Sequence, residues 1–273
     1  MTSNKVIHYI WYQGVDKIPD KFRINIDNMY EYNKSTWTIR IWNSKDLYKL
    51  ACRYSSRLKR IFYKLPHMHQ RIDLGRYLIL YYYGGLTMDT DVYPLKPLDT
   101  LDIWEQHKVI VGEINMNKLE SMVLTKTLSC PAVNNAIIYS RDIKHVVLET
   151  ILDHMIKVCV DAKSMNDTND ILWTTGPTVF SQILCDRVLH DEVLILPFEI
   201  FEPVTAVLNI DGITTNSVLV HEHEQSWVKQ SKLFDVILKI YVYCRPHINI
   251  SIVFILLLIT ILILMLIKKS RRS

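Results

Sequence analysis

Apolar and polar residues fall into short blocks whose period changes repeatedly along the first 230 positions. Residues 6–12 (VIHYIWY) and 37–42 (WTIRIW) are β-branched and aromatic and predict buried strands. Pro19 opens a helical pattern to about Tyr32, and Asn43-Ser44 can cap another helix from Lys45. Residues 70–83 predict a helix that stops at Gly84-Gly85, followed by a short strand over 86–88. Further strands are expected at 109–113, 193–196 and 218–221. Helices are expected at 134–143, 144–160 and from Gly176-Pro177 to about Leu189, with a polar loop over 161–170. Strands alternating with helices and no internal repeat indicate an α/β domain over residues 1–230.

The pattern then breaks. Residues 231–247 read as an amphipathic juxtamembrane segment. Residues 248–267 are 20 uncharged residues, enough at about 1.5 Å per residue to span a bilayer core of about 30 Å. Residues 268–273 form a basic tail. The expectation is a single C-terminal transmembrane helix. The basic tail prefers the cytosolic side by charge. The stretch MTSNKVIHYIWYQG lacks an apolar run of leader length, which favours instead a catalytic domain on the cytosolic side.

Charge changes the picture little. The chain has 273 residues with 32 Lys plus Arg against 28 Asp plus Glu, a net +4. The excess resides in Lys268, Lys269, Arg271 and Arg272, so the body is neutral and offers no broad basic face for nucleic acid. Five cysteines, odd in number, widely spaced and without a C-x-x-C, suggest neither a disulfide framework nor a zinc site. Asn33 and Asn166 stand in glycosylation sequons.

Candidate chemistry gathers in QRIDLGRYLILYYYGGLTMDTDVYPLKPLD. Asp73 and Arg76 are three residues apart on one helix and share a face. The Gly-Gly break lets the chain reverse. Alternation along the following strand is expected to turn Asp89 and Asp91 to one side. Two hard oxygen ligands suit Mg²⁺ or Mn²⁺, which complete their shells with phosphate and water. A D-x-D-x-[TV] segment also begins haloacid-dehalogenase-like phosphatases, with Asp89 as nucleophile. That alternative wants a long apolar strand directly before it, where Gly84-Gly85 stands instead.

In order and spacing, the Asp73, Arg76-Tyr77, Tyr83-Gly84-Gly85 and Asp89-Thr90-Asp91 stretch resembles the DXD-containing glycosyltransferases of family 32. That group holds fungal α-1,6-mannosyltransferases, inositol phosphoceramide mannosyltransferases and bacterial polysaccharide enzymes. The opening strand through Ile10-Trp11, Thr175-Gly176-Pro177, and His221 with Ser226-Trp227 are similar to its other motifs. The resemblance implies a GT-A fold, a Rossmann-like sheet with a nucleotide-sugar site at its strand ends, and a retaining transfer. It implies donor contacts from Ile10, Trp11 (stacked on the base), Asp73, Arg76 and Ser226. It places Asp89, Asp91 and Trp227 in catalysis, and Asp89, Asp91 and His221 around Mn²⁺ or Mg²⁺. The donor would be GDP- or UDP-linked, and the acceptor a glycan or lipid near a membrane. Thr87 stands where the family more often has an aromatic residue. A membrane-anchored, inactive binding protein of the same fold is the further alternative. His67, His69 and His223 read as surface residues.

Overall fold

A computed structural model describes residues 5–117, 121–122, 125–126, 130–162, 165, 170–185, 192–205 and 212–224. The chain divides into two units, 1–225 and 226–273, and the described residues all belong to the first. Ser226, Trp227, the 231–247 segment, the 248–267 span, the basic tail and Asn166 lie outside the described residues. Among the described residues no helix is long and apolar enough to cross a membrane.

Six strands form the central sheet: β1 (Val6–Ile10), β2 (Thr38–Trp42), β3 (Gly85–Met88), β5 (Val109–Glu113), β6 (Val133–Ser140) and β7 (Val193–Leu196), in the order β2-β1-β3-β6-β5-β7. β1 runs parallel to β2 and β3, and β5 parallel to β7. β6 is antiparallel to both β3 and β5. A second, two-stranded antiparallel sheet joins β4 (Val92–Pro94) to β8 (Leu219–His221).

The helices are α1 (Asp20–Asn33), α2 (Ser44–Tyr54), α3 (Ser56–Phe62), α4 (Met68–Tyr83), α5 (Val146–Asp161), α6 (Asp170–Thr174), α7 (Pro177–Leu184) and α8 (Phe198–Phe201). Two apolar cores sandwich the sheet. One packs α2 to α5 and α7 against Val109, Val111 and Ile138. The other packs α1 and α8 against Ile110, Ile137 and Tyr139. Adjacent residues of one strand thus feed opposite cores, the layering of an α/β domain.

Local chemistry sets the element ends. Asn43 caps α2, its side chain accepting from the amides of Lys45 and Asp46. α4 stops where Gly84 and Gly85 take φ of 61° and 86°, a left-handed turn that glycine adopts without a Cβ penalty. The reversal places β3 directly after α4.

Two sequence expectations change, and one sequon asparagine proves structural. Residues 134–143, expected helical, form most of β6 and the turn after it, because β6 pairs with a strand on each side and is buried on both faces. Cys130 and Cys185 form a disulfide, tying the chain before β6 to the end of α7, where none was expected. The sequon residue Asn33 is buried: its Nδ2 donates to the Met29 carbonyl and its Oδ1 accepts from the Leu98 amide at 2.7 Å. That asparagine is a packed structural group.

Candidate active site

Parallel pairing of β1 with β3 sets Tyr9 opposite Met88, so Trp11, just after Ile10 ends β1, and Asp89-Thr90, after β3, leave the sheet at the same edge. Asp89 and Asp91 are not on a strand. They sit in the tight turn between β3 and β4, closed by the Val92 amide donating to the Asp89 carbonyl at 3.2 Å. Asn25 of α1 braces the tip, donating to the Thr90 carbonyl at 3.1 Å. A turn, rather than strand alternation, brings the two carboxylates to one side.

The β4–β8 pair supplies the third group. Its register sets His221 opposite Val92, next to Asp91. His221 Nε2 lies 3.4 Å from Asp91 Oδ2. The candidate ligand atoms of Asp89, Asp91 and His221 all lie within 4.8 Å of one another. Asp91 is fixed from the backbone as well, its Oδ2 accepting from the Glu224 amide at 2.8 Å. Burial works against its charge, yet His221 and that amide hold its pKa down at about 2. Burial also opposes charge on His221, but the Glu202 and Asp91 carboxylates keep its pKa well above the usual 6.5. Two ionisable oxygens and one imidazole nitrogen in this compass fit Mn²⁺ or Mg²⁺ with room for phosphate oxygens.

Behind this turn lies a buried network. Arg76 Nη2 is 3.0 Å from Asp89 Oδ1 and 3.3 Å from Asp73 Oδ1, and its Nη1 donates to the Asn135 carbonyl. Asp73 also accepts from Asn135 Nδ2 and from Thr175 Oγ1, each at 3.0 Å. Burial lifts the Asp73 pKa to about 7, with Arg76 pulling against it. Burial, opposed by Arg76, also raises Asp89. Both Asp73 oxygens are engaged by protein donors, so in this structure Asp73 braces Arg76, and Arg76 braces the turn.

Trp11 is half-buried, with its ring 5.5 Å from Phe22, and its Nε1 is buried without a hydrogen-bond partner among the described residues. Ile10 is partly buried against the α2–α5 core. Thr87 is buried and donates to the Ile138 carbonyl, which places it in the sheet.

Further residues complete the site. Asn134 and Asn135, adjacent on β6, serve opposite flanks of the site, one beside His221 and one on Asp73. Glu202, directly after α8, bonds His221 Nδ1 at 3.0 Å. His223 is not a surface residue: its side chain is 4% exposed and lies 3.3 Å from Glu202. His67 is partly buried as the cap of α4, its amide donating to Gln70 Oε1, and His69 is partly buried. The histidine pair with one residue between them, read beside the D-x-D, was the available signal. Glu202 had none.

Residues 11–109 match the family described as glycosyltransferase sugar-binding region containing DXD motif. That stretch holds Asp73, Arg76, Asp89 and Asp91. Over 99 residues the chain is 29% identical to inositol phosphoceramide mannosyltransferase 1 of Schizosaccharomyces pombe, covering 36% of this chain and 30% of that protein. The chain therefore matches about a third of that relative's length. Among solved structures it is similar to the PaToxG glycosyltransferase, with a TM-score of 0.45 and 17% identity over 67% of this chain and 69% of that one. A glycosyltransferase involved in glycosylation of the major capsid of PBCV-1 gives a TM-score of 0.46 and 13% identity over 86% and 98% of the two chains. The galactosyltransferase LgtC, in complex with donor and acceptor sugar analogs, gives 0.43 and 13% over 79% and 86%.

Proposed function

We propose that this protein is a membrane-anchored, metal-dependent glycosyltransferase that moves a hexose from a nucleotide-sugar donor to a glycan or lipid acceptor. The observation that carries the reading is the convergence of Asp89, Asp91 and His221 beside the Arg76 network, at the edge where β1 and β3 end. Asp89, Asp91 and His221 would hold a divalent ion, which would supply charge neutralisation for a departing diphosphate. Arg76 holds Asp89 in place. Trp11 offers an aromatic face for the nucleotide base, and Ser226 and Trp227 are assigned to the donor diphosphate by the family resemblance. Transfer is read as retaining on the same ground.

Residues 248–267 are the proposed anchor, on composition alone. The Cys130–Cys185 bond supports a domain on the oxidising side of its membrane, opposite to the side expected from the sequence, because protein disulfides persist in oxidising compartments. Mannose is the first donor sugar to test, after the name of the S. pombe relative.

The test is a panel of GDP- and UDP-linked sugars incubated with the full-length protein in detergent, with Mn²⁺, Mg²⁺ or chelator. Metal-dependent release of one nucleotide diphosphate is expected. Absence of turnover with every donor and either metal would remove the reading.

A further inference from the structure

Glu202 is fully buried, 19 residues before the histidine it touches. Its position comes from two connections. α8 follows β7 by a single proline, and the Val218 amide donates to the Ile200 carbonyl at 3.0 Å, joining α8 to the chain entering β8. Both carboxylate oxygens face His221 Nδ1, at 3.0 and 3.3 Å, and Oε2 also faces His223 Nε2 at 3.3 Å. A buried carboxylate needs donors, and His221 Nδ1 supplies one, whereas the His223 Nε2 beside it is bonded to the Val204 carbonyl at 3.1 Å.

His223 packs beside both groups. It holds φ of 52°, an uncommon conformation for a residue with a Cβ, and its ring lies 4.0 Å from that of His221. A carboxylate at Nδ1 selects the ring form in which Nδ1 carries hydrogen, which leaves Nε2 as the ring atom facing Asp91, 3.4 Å away. Asn134, its oxygen taken by the Ala136 amide, turns its Nδ2 donor toward Nδ1 at 3.2 Å, a longer contact than the 3.0 Å to Glu202, so the carboxylate governs that nitrogen.

We propose that Glu202 is a positioning residue that fixes His221 as a nitrogen ligand of the Asp89–Asp91 metal site, and that it thereby biases the site toward Mn²⁺ over Mg²⁺. The inference rests on the metal-dependent transferase reading given above. Carboxylates that hold the far nitrogen of a ligating histidine fix its orientation and raise its basicity, and their loss weakens metal binding about 10–100-fold. Imidazole favours transition metals, whereas an all-oxygen shell suits Mg²⁺.

The experiment measures Mn²⁺ and Mg²⁺ affinity of the full-length protein without donor, by manganese electron paramagnetic resonance and by magnesium competition. Glu202→Gln should bind Mn²⁺ about 10–100-fold more weakly, with a smaller loss for Mg²⁺. In a His221→Ala background it should cause no further loss. Unchanged Mn²⁺ affinity in Glu202→Gln, or an equal loss with and without His221, would overturn the inference. Asp91→Asn, run alongside, separates the failures: if it too binds Mn²⁺ normally, the transferase reading falls first and this inference with it. Should Glu202→Gln not fold, nitrogen NMR of the wild-type protein decides. Hydrogen on His221 Nδ1 and a shift confined to Nε2 on adding Zn²⁺ would support the role, and the reverse assignment would refute it.

Discussion

Arg76 reaches across from α4 to the turn after β3 and holds Asp89 at 3.0 Å, with the same nitrogen 3.3 Å from Asp73. One buried cation therefore sets the spacing between a helix and the acidic turn. Arg76 is 6% exposed at the side chain and Asp73 is 9% exposed, whereas Asp89 is 35% exposed and partly screened by water.

Replacing Arg76 by Met leaves Asp73 facing Asp89 without a counter-charge. Breaking a buried pair on one side costs about 3–5 kcal/mol, and Asp89's exposure places this case toward the lower end. Urea unfolding should show the loss, and Arg76→Lys should retain part of the stability while losing the paired contacts. Wild-type stability in Arg76→Met would contradict the bracing role.

His8 gives a pH signature away from the acidic turn. Its Nε2–H donates to the Gly84 carbonyl at 3.0 Å, and its Nδ1 accepts from Trp42 Nε1 at 3.2 Å. Burial pulls its pKa from 6.5 to about 4, with Arg40 adding to the effect and the Gly84 contact opposing it. The unfolded chain then binds a proton that the folded chain refuses. Stability from this group is intact above pH 6.5 and falls as pH drops toward 4, by about 1.4 kcal/mol per unit and about 3 kcal/mol in all. Asp73, with its pKa raised to about 7, contributes the opposite slope. The difference between wild type and His8→Gln therefore isolates the histidine, and parallel stability curves over pH 4–7 would refute the effect.

Strand–helix alternation made the α/β class legible, and the Gly84-Gly85 stop located α4 and the acidic turn to within two residues. β6 escaped because a strand buried on both faces shows no alternation, and Asn134-Asn135 imitates a helix cap before an apolar run. What made it a strand was pairing with β3 and β5, a tertiary fact. Asp89, Asp91 and His221 could be named from motif and resemblance, but their convergence depends on the β4–β8 register. Thr175 stands in a motif of the resemblance, but its bond to Asp73 comes from packing, and Glu202 reaches the site only through packing that no local pattern announces.

The Cys130–Cys185 bond closes a loop of 55 residues in sequence separation. It clamps the start of β6, where Ser181 of α7 also bonds both the amide and the carbonyl of Val133 at 3.0 and 2.9 Å. Replacing both cysteines by serine should cost about 2–4 kcal/mol and loosen Asn134 and Asn135. Thermal melting with and without reductant measures the first, and amide exchange across 130–136 the second. Thiol trapping in intact cells should find this pair oxidised. Free thiols there would argue for the cytosolic side.

Trp11→Ala should raise the donor KM with little change in kcat, since a base–aromatic stack is worth about 1–3 kcal/mol, or roughly 5–150-fold. A stability loss with unchanged KM would make Trp11 a packing residue against Phe22.

On the proposed reading, Asp89, Asp91 and His221 hold a metal that makes donor cleavage possible. Donor-nucleotide hydrolysis by the full-length protein, measured against added Mn²⁺ for wild type and Asp91→Asn, tests it most directly. Hydrolysis should need metal in the wild type and be abolished in a folded Asp91→Asn protein. Equal hydrolysis by the two proteins, or hydrolysis indifferent to chelator, would contradict it.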